Sequence, residues 1–368
     1  MLTTAFDLSL GLTMQRVYVK TMGCKVNTFD SQAIQQQFAR SGAEIVADPT
    51  RCDVAVVNSC SVTANADKEA RYFARRLRRV NPGAMVVFTG CYAQTDSATL
   101  AAMTEIDLVV PNEIKEQLVA ATKETFLQLQ MGEQPKRKVP GSTALVKNNR
   151  QGHFKAASAF FDQTFLDHTR AFLKIQDGCN GFCTYCLIPY ARGASRSVPP
   201  EQVVAEVNRL VDKGVREIVL TGIHVGDYGR DLADCSSPYP VAGLIREILA
   251  NPQLARLRIS SLEPSEVKDE LLQVVADNHH RVCAHWHLPL QSGCDTVLRR
   301  MRRSYTSAEY AKAVSRLRQV FPRANIGADV IPGFPGETEA EFDATLKFVA
   351  EMDLAYLHVF PYSSRPGT

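Results

Sequence analysis

Several things are missing from this chain, and each absence closes a class of function. No run of about 18 apolar residues occurs, which excludes a membrane-spanning helix, and no membrane partner is expected. The opening stretch, MLTTAFDLSLGLTM, has no basic n-region and no long apolar core, so it does not read as a signal peptide. Met14 directly precedes the first strand-like segment, so a start at Met14 is one account of residues 1–13 and a start at Met1 stays open. No charge imbalance stands out: a net charge of +3 is too small to announce a nucleic-acid binder, and only its distribution can do so. Also absent are the two well-separated Cys-x-x-Cys pairs of a zinc knuckle. Cysteine itself is plentiful, at 10 residues. Without a leader segment a disulfide framework is a poor use for them. Metal ligation is a better one, and it demands a reducing compartment, so a cytoplasmic location is expected.

The rest of the composition is ordinary for a globular protein, with 45% hydrophobic and 22% charged residues, and 368 residues suffice for about two domains. Strand and helix signals alternate over 15–130. RVYVKT, DVAVVNS, AMVVFTG and IDLVVPN read as strands, and FDSQAIQQQFARSG as a helix with Asp30 as cap, Ile34 and Phe38 on one face and Gly42 at its end. This rhythm predicts a parallel sheet with helices on its faces. Over 131–168 the pattern dissolves into a basic linker carrying Lys136, Arg137, Lys138, Lys147, Arg150 and Lys155. Over 169–368 six strand signals return: AFLKIQ, EIVLTG, RLRISS, AHWHLPL, NIGADVI and AYLHVFPY. The first helix of this part is punctuated by Pro199 and Pro200 at its start and Gly214 at its end, with Val203, Val204, Val207, Leu210 and Val211 on one face. Six βα units predict a partial (β/α)6 barrel, whose chemistry sits at the carboxyl ends of the strands.

Two cysteine triads carry the chemistry. Cys179, Cys183 and Cys186 form Cys-x-x-x-Cys-x-x-Cys directly after the barrel's first strand. Three thiolates on one loop can wrap a single metal centre, and three is one short of a closed zinc site or a fully ligated iron–sulfur cluster. One metal position then stays open for chemistry; a zinc loop that borrows a fourth ligand is the alternative. Cys24, Cys60 and Cys91 each follow a strand, in VYVKTMGC, DVAVVNSC and MVVFTGC. In a parallel sheet those positions share one edge, and Gly23 and Gly90 let backbone come close to a bulky group. A second cluster with an open iron is the sharper reading; three buried cysteines serving as small hydrophobes is the plainer one. Cys52, Cys235, Cys283 and Cys294 show no such arrangement and read as structural.

The spacing at 179–186 resembles the signature of the radical S-adenosylmethionine (SAM) enzymes, and the blocks around it extend the likeness. TMGCKVNTFDS, VVNSCSVT, TGCYAQ, KIQDGCNGFCTYCLIPYARGASRS, LTGIHVGDYG, SSLEPSEV, HLPLQSGCDTVLRRMRR and DVIPGFPGETEAEF together resemble the methylthiotransferase family. GCKVN is most similar to the branch acting on N6-threonylcarbamoyladenosine beside the anticodon of tRNA. The resemblance implies an N-terminal α/β domain with an auxiliary cluster, a radical SAM barrel, two 4Fe-4S clusters and SAM. The cluster at Cys179, Cys183 and Cys186 would cleave SAM reductively to a 5′-deoxyadenosyl radical. The cluster at Cys24, Cys60 and Cys91 would carry the sulfur. Implied partners are tRNA, a protein electron donor and a sulfur donor that the residues do not identify. Family members usually continue into a small RNA-binding β-barrel, whereas this sequence stops at Thr368; either the sequence is a truncated one or substrate is bound without that module.

By the same resemblance, Gly222, Gly226, Glu263, Gln291, Asp329 and Gly333 are candidates to approach SAM or substrate; loop glycines and ordinary amide caps are the plainer readings. Gly229 shares the glycine pattern, and Arg192 is a candidate for the SAM carboxylate or an RNA phosphate. Arg71, Arg75 and Arg78 on one basic helix, with Arg196 and Arg302, are candidates to grip an RNA backbone; a solvated face is the alternative. Two other substrates stay open, isopentenyladenosine in tRNA or an aspartate of a ribosomal protein, as does a non-catalytic iron–sulfur protein that binds RNA.

Overall fold

The computed structural model describes residues 14–133, 170–232 and 239–368, and the chain divides into two compact units between Asn149 and Arg150. Most of the stretch read as a basic linker lies outside the described residues, as does Cys235.

The first unit runs β1 (Arg16–Thr21), α1 (Lys25–Arg40), β2 (Glu44–Ile45), β3 (Val54–Ser59), α2 (Ala64–Val80), β4 (Met85–Gly90), α3 (Cys91–Thr95), α4 (Ser97–Ala102), β5 (Leu108–Val109) and α5 (Leu118–Gln130). Its five strands are parallel, in the order β2-β1-β3-β4-β5. Every residue of β3 and β4 is buried, as a strand covered on both faces requires. Alternation splits them: Ala55 and Val57 pack with Ala70, Ala74 and Leu77 of α2, while Val54 and Val56 pack with Ile34 and Phe38 of α1 and Phe126 of α5. The expected fourth strand shrinks to the two residues of β5, and β2 is too short to leave a sequence pattern.

One local expectation fails. Asp30 does not cap α1, which begins right after Cys24; it is buried inside the helix and takes an ion pair from Lys115 Nζ at 3.1 Å. A buried partner outweighs the usual preference of Asp for a cap. Gly42 ends this helix as expected, in the left-handed region at φ 93°.

The second unit runs β6 (Arg170–Lys174), β7 (Gln176–Asp177), α6 (Ile188–Arg192), β8 (Arg196–Ser197), α7 (Pro200–Asp212), β9 (Glu217–Thr221), α8 (Val241–Leu249), β10 (Arg256–Ile259), α9 (Asp269–Asp277), β11 (His285–His287), α10 (Asp295–Arg300), α11 (Ser307–Val320), β12 (Asn325–Val330), α12 (Glu339–Glu351) and β13 (Tyr356–Val359). Two parallel three-stranded sheets, β10-β9-β6 and β11-β12-β13, are joined by a parallel bridge between Leu257 and Val282. The order β6-β9-β10-β11-β12-β13 is the expected partial (β/α)6 barrel. The helix after the cysteine loop, α7, buries Val203, Val207, Leu210 and Val211, and the chain turns at Gly214. The short antiparallel pair of β7 and β8, unforeseen from the sequence, closes the cysteine loop at its base.

Candidate metal centres

In the first unit the sheet register assembles one site. Thr21 stands opposite Asn58 and Asn58 opposite Thr89, with Ser59 opposite Gly90. Cys60 and Cys91 are therefore the next residues on adjacent strands, and Gly23 and Cys24 follow on the third. Cys24 is the residue before α1 and is exposed; Cys60 and Cys91 are buried. At both glycines expected near the cluster, neighbouring protein atoms occupy the space a side chain would take. At Gly23, with φ 94°, a Cβ would lie 2.7 Å from Cys60 Cβ and 2.8 Å from its Sγ. At Gly90, with φ 93°, it would lie 2.4 Å from the Ser59 oxygen. Polar side chains fix the loops beneath. Asn27 Nδ2 donates to the Met22 oxygen at 2.7 Å and the Ser59 oxygen at 3.1 Å, and Asn58 Nδ2 donates to the Asn27 oxygen at 3.0 Å. Lys115 Nζ bridges Asp30 and Asn58 from behind, and Asn112 Nδ2 reaches Cys91 Sγ at 4.0 Å. Three sulfurs at the mouth of a parallel sheet, beside backbone with no side chain to obstruct it, fit an iron–sulfur cluster held by three cysteines.

In the second unit the site is local. Each sulfur of the loop accepts an N–H: Cys179 Sγ from the Gly181 amide at 3.3 Å, Cys186 Sγ from the Ile188 amide at 3.4 Å, and Cys183 Sγ from Arg303 Nη1 at 3.2 Å. Hydrogen bonds to sulfur are among the levers that set the potential of an iron–sulfur cluster. Gly181 sits between two of the sulfurs, with its missing Cβ 3.3 Å from Cys179 Sγ and 3.8 Å from Cys183 Sγ. Burial pushes the Cys186 thiol up to about 12, a proton that iron ligation would remove. This donor set also fits a cluster.

Charged groups surround the loop. Asp177 gathers Arg192 Nη1 at 3.0 Å, Lys174 Nζ at 3.1 Å and Arg196 at 3.8 Å. Burial alone would raise its carboxyl, but the three cations hold it well below the usual carboxylate range. His224 lies against Asp227 at 3.3 Å and Glu266 at 2.5 Å. Burial opposes its charge, yet Asp227, Cys179 and Glu266 hold its pKa up to about 12. Arg303 stacks on Tyr305, with its guanidinium carbon 4.9 Å from the ring centroid, and pairs with Glu263 at 2.5 Å. Arg303 thereby links Glu263 directly to Cys183. Sequence reasoning missed His224 and Glu266, and read Arg303 only as part of a basic run that could grip RNA or be a solvated face.

The other expected residues fall as follows. Gly222 directly follows β9, and a Cβ there would sit 2.9 Å from Gln176 Oε1. The space at Gly226 is filled by the Glu266 carboxyl, 1.8 Å from where a Cβ would stand, and at Gly229 by the Tyr239 oxygen, at 1.7 Å. Gln291 follows β11 and holds φ 65°, a left-handed conformation costly for a residue with a Cβ. Gly333, with φ 74°, faces open space, and its N–H donates to Glu337 Oε2 at 2.6 Å. Asp329 lies on β12 between two imidazoles.

Of the basic candidates, Arg78 is turned inward, with Asp107 at 2.6 Å and the Pro82, Ala84 and Glu105 oxygens as acceptors. Arg71 donates to the Tyr92 hydroxyl, and Arg196 donates to the Arg192 and Ala194 oxygens. Arg75 and Arg302 are exposed, as are Lys68, Arg76 and Arg79 on α2. Tyr72, 59% exposed, stands among them. Of the remaining cysteines, Cys52 is buried, its thiol pushed up to about 11 by burial, and Cys294 Sγ contacts Thr296 Oγ1 at 3.1 Å.

The Radical SAM superfamily profile matches residues 173–349, and that of Uncharacterized protein family UPF0004 matches residues 16–111. The chain is 41% identical over 356 residues to the threonylcarbamoyladenosine tRNA methylthiotransferase MtaB of Bacillus subtilis (strain 168), covering 96% of this chain and 75% of that protein. It is 38% identical to the protein of the same name from Aquifex aeolicus (strain VF5), covering 96% and 82%. To the tRNA-2-methylthio-N(6)-dimethylallyladenosine synthase of Dictyoglomus thermophilum it is 33% identical, covering 96% and 77%. Among solved structures, the radical SAM methyltransferase TsrM from Kitasatospora setae, with cobalamin and a [4Fe-4S] cluster bound, shares the fold at a TM-score of 0.65 and 16% identity, covering 94% of this chain and 74% of that one.

Proposed function

Because this chain belongs to the radical SAM methylthiotransferases, we propose that it transfers a methylthio group to carbon 2 of N6-threonylcarbamoyladenosine beside the anticodon of tRNA. The observation that carries this reading is the 41% identity to the threonylcarbamoyladenosine enzyme over nearly the whole chain. Its cofactors are SAM and two 4Fe-4S clusters. When bound, they supply reductive cleavage of SAM at one cluster and a sulfur atom at the other.

The protein's own residues divide the work of holding them. Cys179, Cys183 and Cys186 ligate the SAM-cleaving cluster, and Arg303 steadies Cys183. Cys24, Cys60 and Cys91 ligate the sulfur-bearing cluster, and Gly23 keeps the space beside Cys60 clear. Gly222, Glu263, Gln291, Asp329 and Gly333 surround SAM or substrate at the strand ends, with Gly226 giving its space to Glu266. On RNA, the exposed Arg75 and Arg302 contact phosphate, while Arg71, Arg78 and Arg196 position neighbouring structure through their internal partners. A protein electron donor and a cytoplasmic location complete the reading; among the described residues no helix is long and apolar enough to cross a membrane.

The test is anaerobic reconstitution, reaction with SAM and tRNA, and mass spectrometry of the released nucleosides. The expected product is 2-methylthio-N6-threonylcarbamoyladenosine. Product only on isopentenyladenosine, or only on a ribosomal protein aspartate, overturns the substrate. Release of no 5′-deoxyadenosine overturns the enzyme reading altogether.

A further inference from the structure

The barrel carries a second constellation, centred on Asp329, whose two histidines the function above leaves unexplained. On β11, Trp286 turns outward and is buried against Phe321, with ring centroids 5.9 Å apart. By alternation His285 and His287 face the opposite side, the lumen. Register places their neighbours: His287 stands opposite Gly327 of β12, Gly327 opposite Tyr356 of β13, and Asp329 opposite His358. One carboxylate oxygen, Asp329 Oδ1, thus meets His287 Nε2 at 3.1 Å and His358 Nδ1 at 3.2 Å. The three donor atoms all lie within 4.8 Å of one another.

We propose that His287, Asp329 and His358 form a binding site for a divalent first-row transition ion such as zinc or ferrous iron. Two ligand atoms each about 2.1 Å from one ion stand roughly 3.0–3.4 Å apart, depending on whether the geometry is octahedral or tetrahedral. The separations of 3.1 and 3.2 Å match that spacing. Two histidines and one carboxylate are a ligand set for such ions that leaves further coordination positions open. The outer nitrogen of His287 is also held, as metal-bound imidazoles usually are. Its Nδ1 lies 3.3 Å from the Tyr356 hydroxyl. That ring reaches across β12 only because residue 327 is glycine: a Cβ there would lie 2.0 Å from the Tyr356 ring. Exposure is graded across the site, 10% for the His287 side chain, 24% for Asp329 and 56% for His358, so the open positions face the accessible side. The ligands for those positions are water or an oxygen donor on a bound molecule.

The experiment uses the full chain with both clusters in place, so that their cysteines are occupied, and titrates it anaerobically with cobalt(II) and then zinc. One cobalt per chain is expected, with weak visible d–d bands, no intense thiolate charge-transfer band, and displacement by zinc. Asp329→Asn and His358→Gln should each weaken binding by at least about 10-fold, and Tyr356→Phe by up to about 10-fold. Cluster iron measured on each variant reports that the barrel is intact, and His358→Gln, at the exposed end, serves if a buried variant does not fold. The site is overturned if the wild-type chain binds no cobalt, if the spectrum is that of a thiolate site, or if Asp329→Asn and His358→Gln bind as tightly as wild type.

Discussion

The two cysteine triads make one kind of ligand set by opposite routes. At Cys179, Cys183 and Cys186 a single loop supplies all three sulfurs, and amides of the same loop donate to two of them. At Cys24, Cys60 and Cys91 no local chain sets the spacing; the register of β1, β3 and β4 does. The first site depends on one turn of chain and one distant arginine. The second depends on the whole first unit folding correctly, down to the buried pair of Lys115 and Asp30 behind it. A metal site read from spacing alone is the first kind; the second becomes visible only when strands are placed side by side.

The largest effect that separates them is on iron. Replacing Cys24, Cys60 and Cys91 by alanine should reduce bound iron from about eight to about four per chain, and so should replacing Cys179, Cys183 and Cys186. Only the latter should abolish 5′-deoxyadenosine release, while both should abolish methylthio transfer. Iron assay and product chromatography read both, and loss of all iron from either variant would break the independence of the two sites.

Next come two glycines in matched roles. Gly23→Ala combines φ 94° with a Cβ 2.7 Å from Cys60 Cβ, so it should cost the first unit its cluster. Gly181→Ala brings a Cβ only to 3.3 Å from a sulfur and should keep the other cluster. Comparable iron loss in both would mean that close approach does not distinguish the sites. A stability effect follows. Lys115→Met leaves Asp30 buried without its cation and should destabilise the first unit by about 3–5 kcal/mol, whereas Lys115→Met with Asp30→Leu should recover much of that. Urea unfolding followed by the loss of cluster absorbance checks it. The smallest effect is on potential. Arg303→Gln removes a positive charge and an N–H from Cys183 Sγ, and should shift only the second unit's cluster to a more negative potential. Redox titration monitored by electron paramagnetic resonance, on a variant that lacks the other triad, isolates that cluster; an unchanged potential would deny Arg303 this role.

Much of the fold was legible because its strands are buried on both faces and so stand out as apolar runs: AVVN in β3 and MVVF in β4 admit few other readings. The partial barrel was legible from six such signals and the punctuation of α7. Elements of two residues, β2 and β5, carry too little pattern to read. Asp30 was misread because a residue that favours caps was satisfied by a lysine far along the chain, which no local rule can see. Arg78 shows the same blindness on the basic helix: it belongs to a charged stripe in sequence but spends its donors on Asp107 and three carbonyls. The histidines of β11 and β13 did leave a trace, since His285 and His287 alternate with buried Trp286. What the trace lacked was the identity of the strand beside them, and with it the aspartate that faces them.

The in-step register of β1, β3 and β4 also constrains how this protein can change its length. Inserting one residue within any of these strands would carry its cysteine about 3.3 Å along the sheet and turn it to the other face. Tolerance to insertion is therefore expected at the opposite edge, in the turns that lead into the strands, where chain can be added without moving a sulfur. The stretch between Gly42 and Val54, which feeds β3 from that edge, is where natural variants of this unit should differ most in length, while the three segments that end in cysteine should keep theirs.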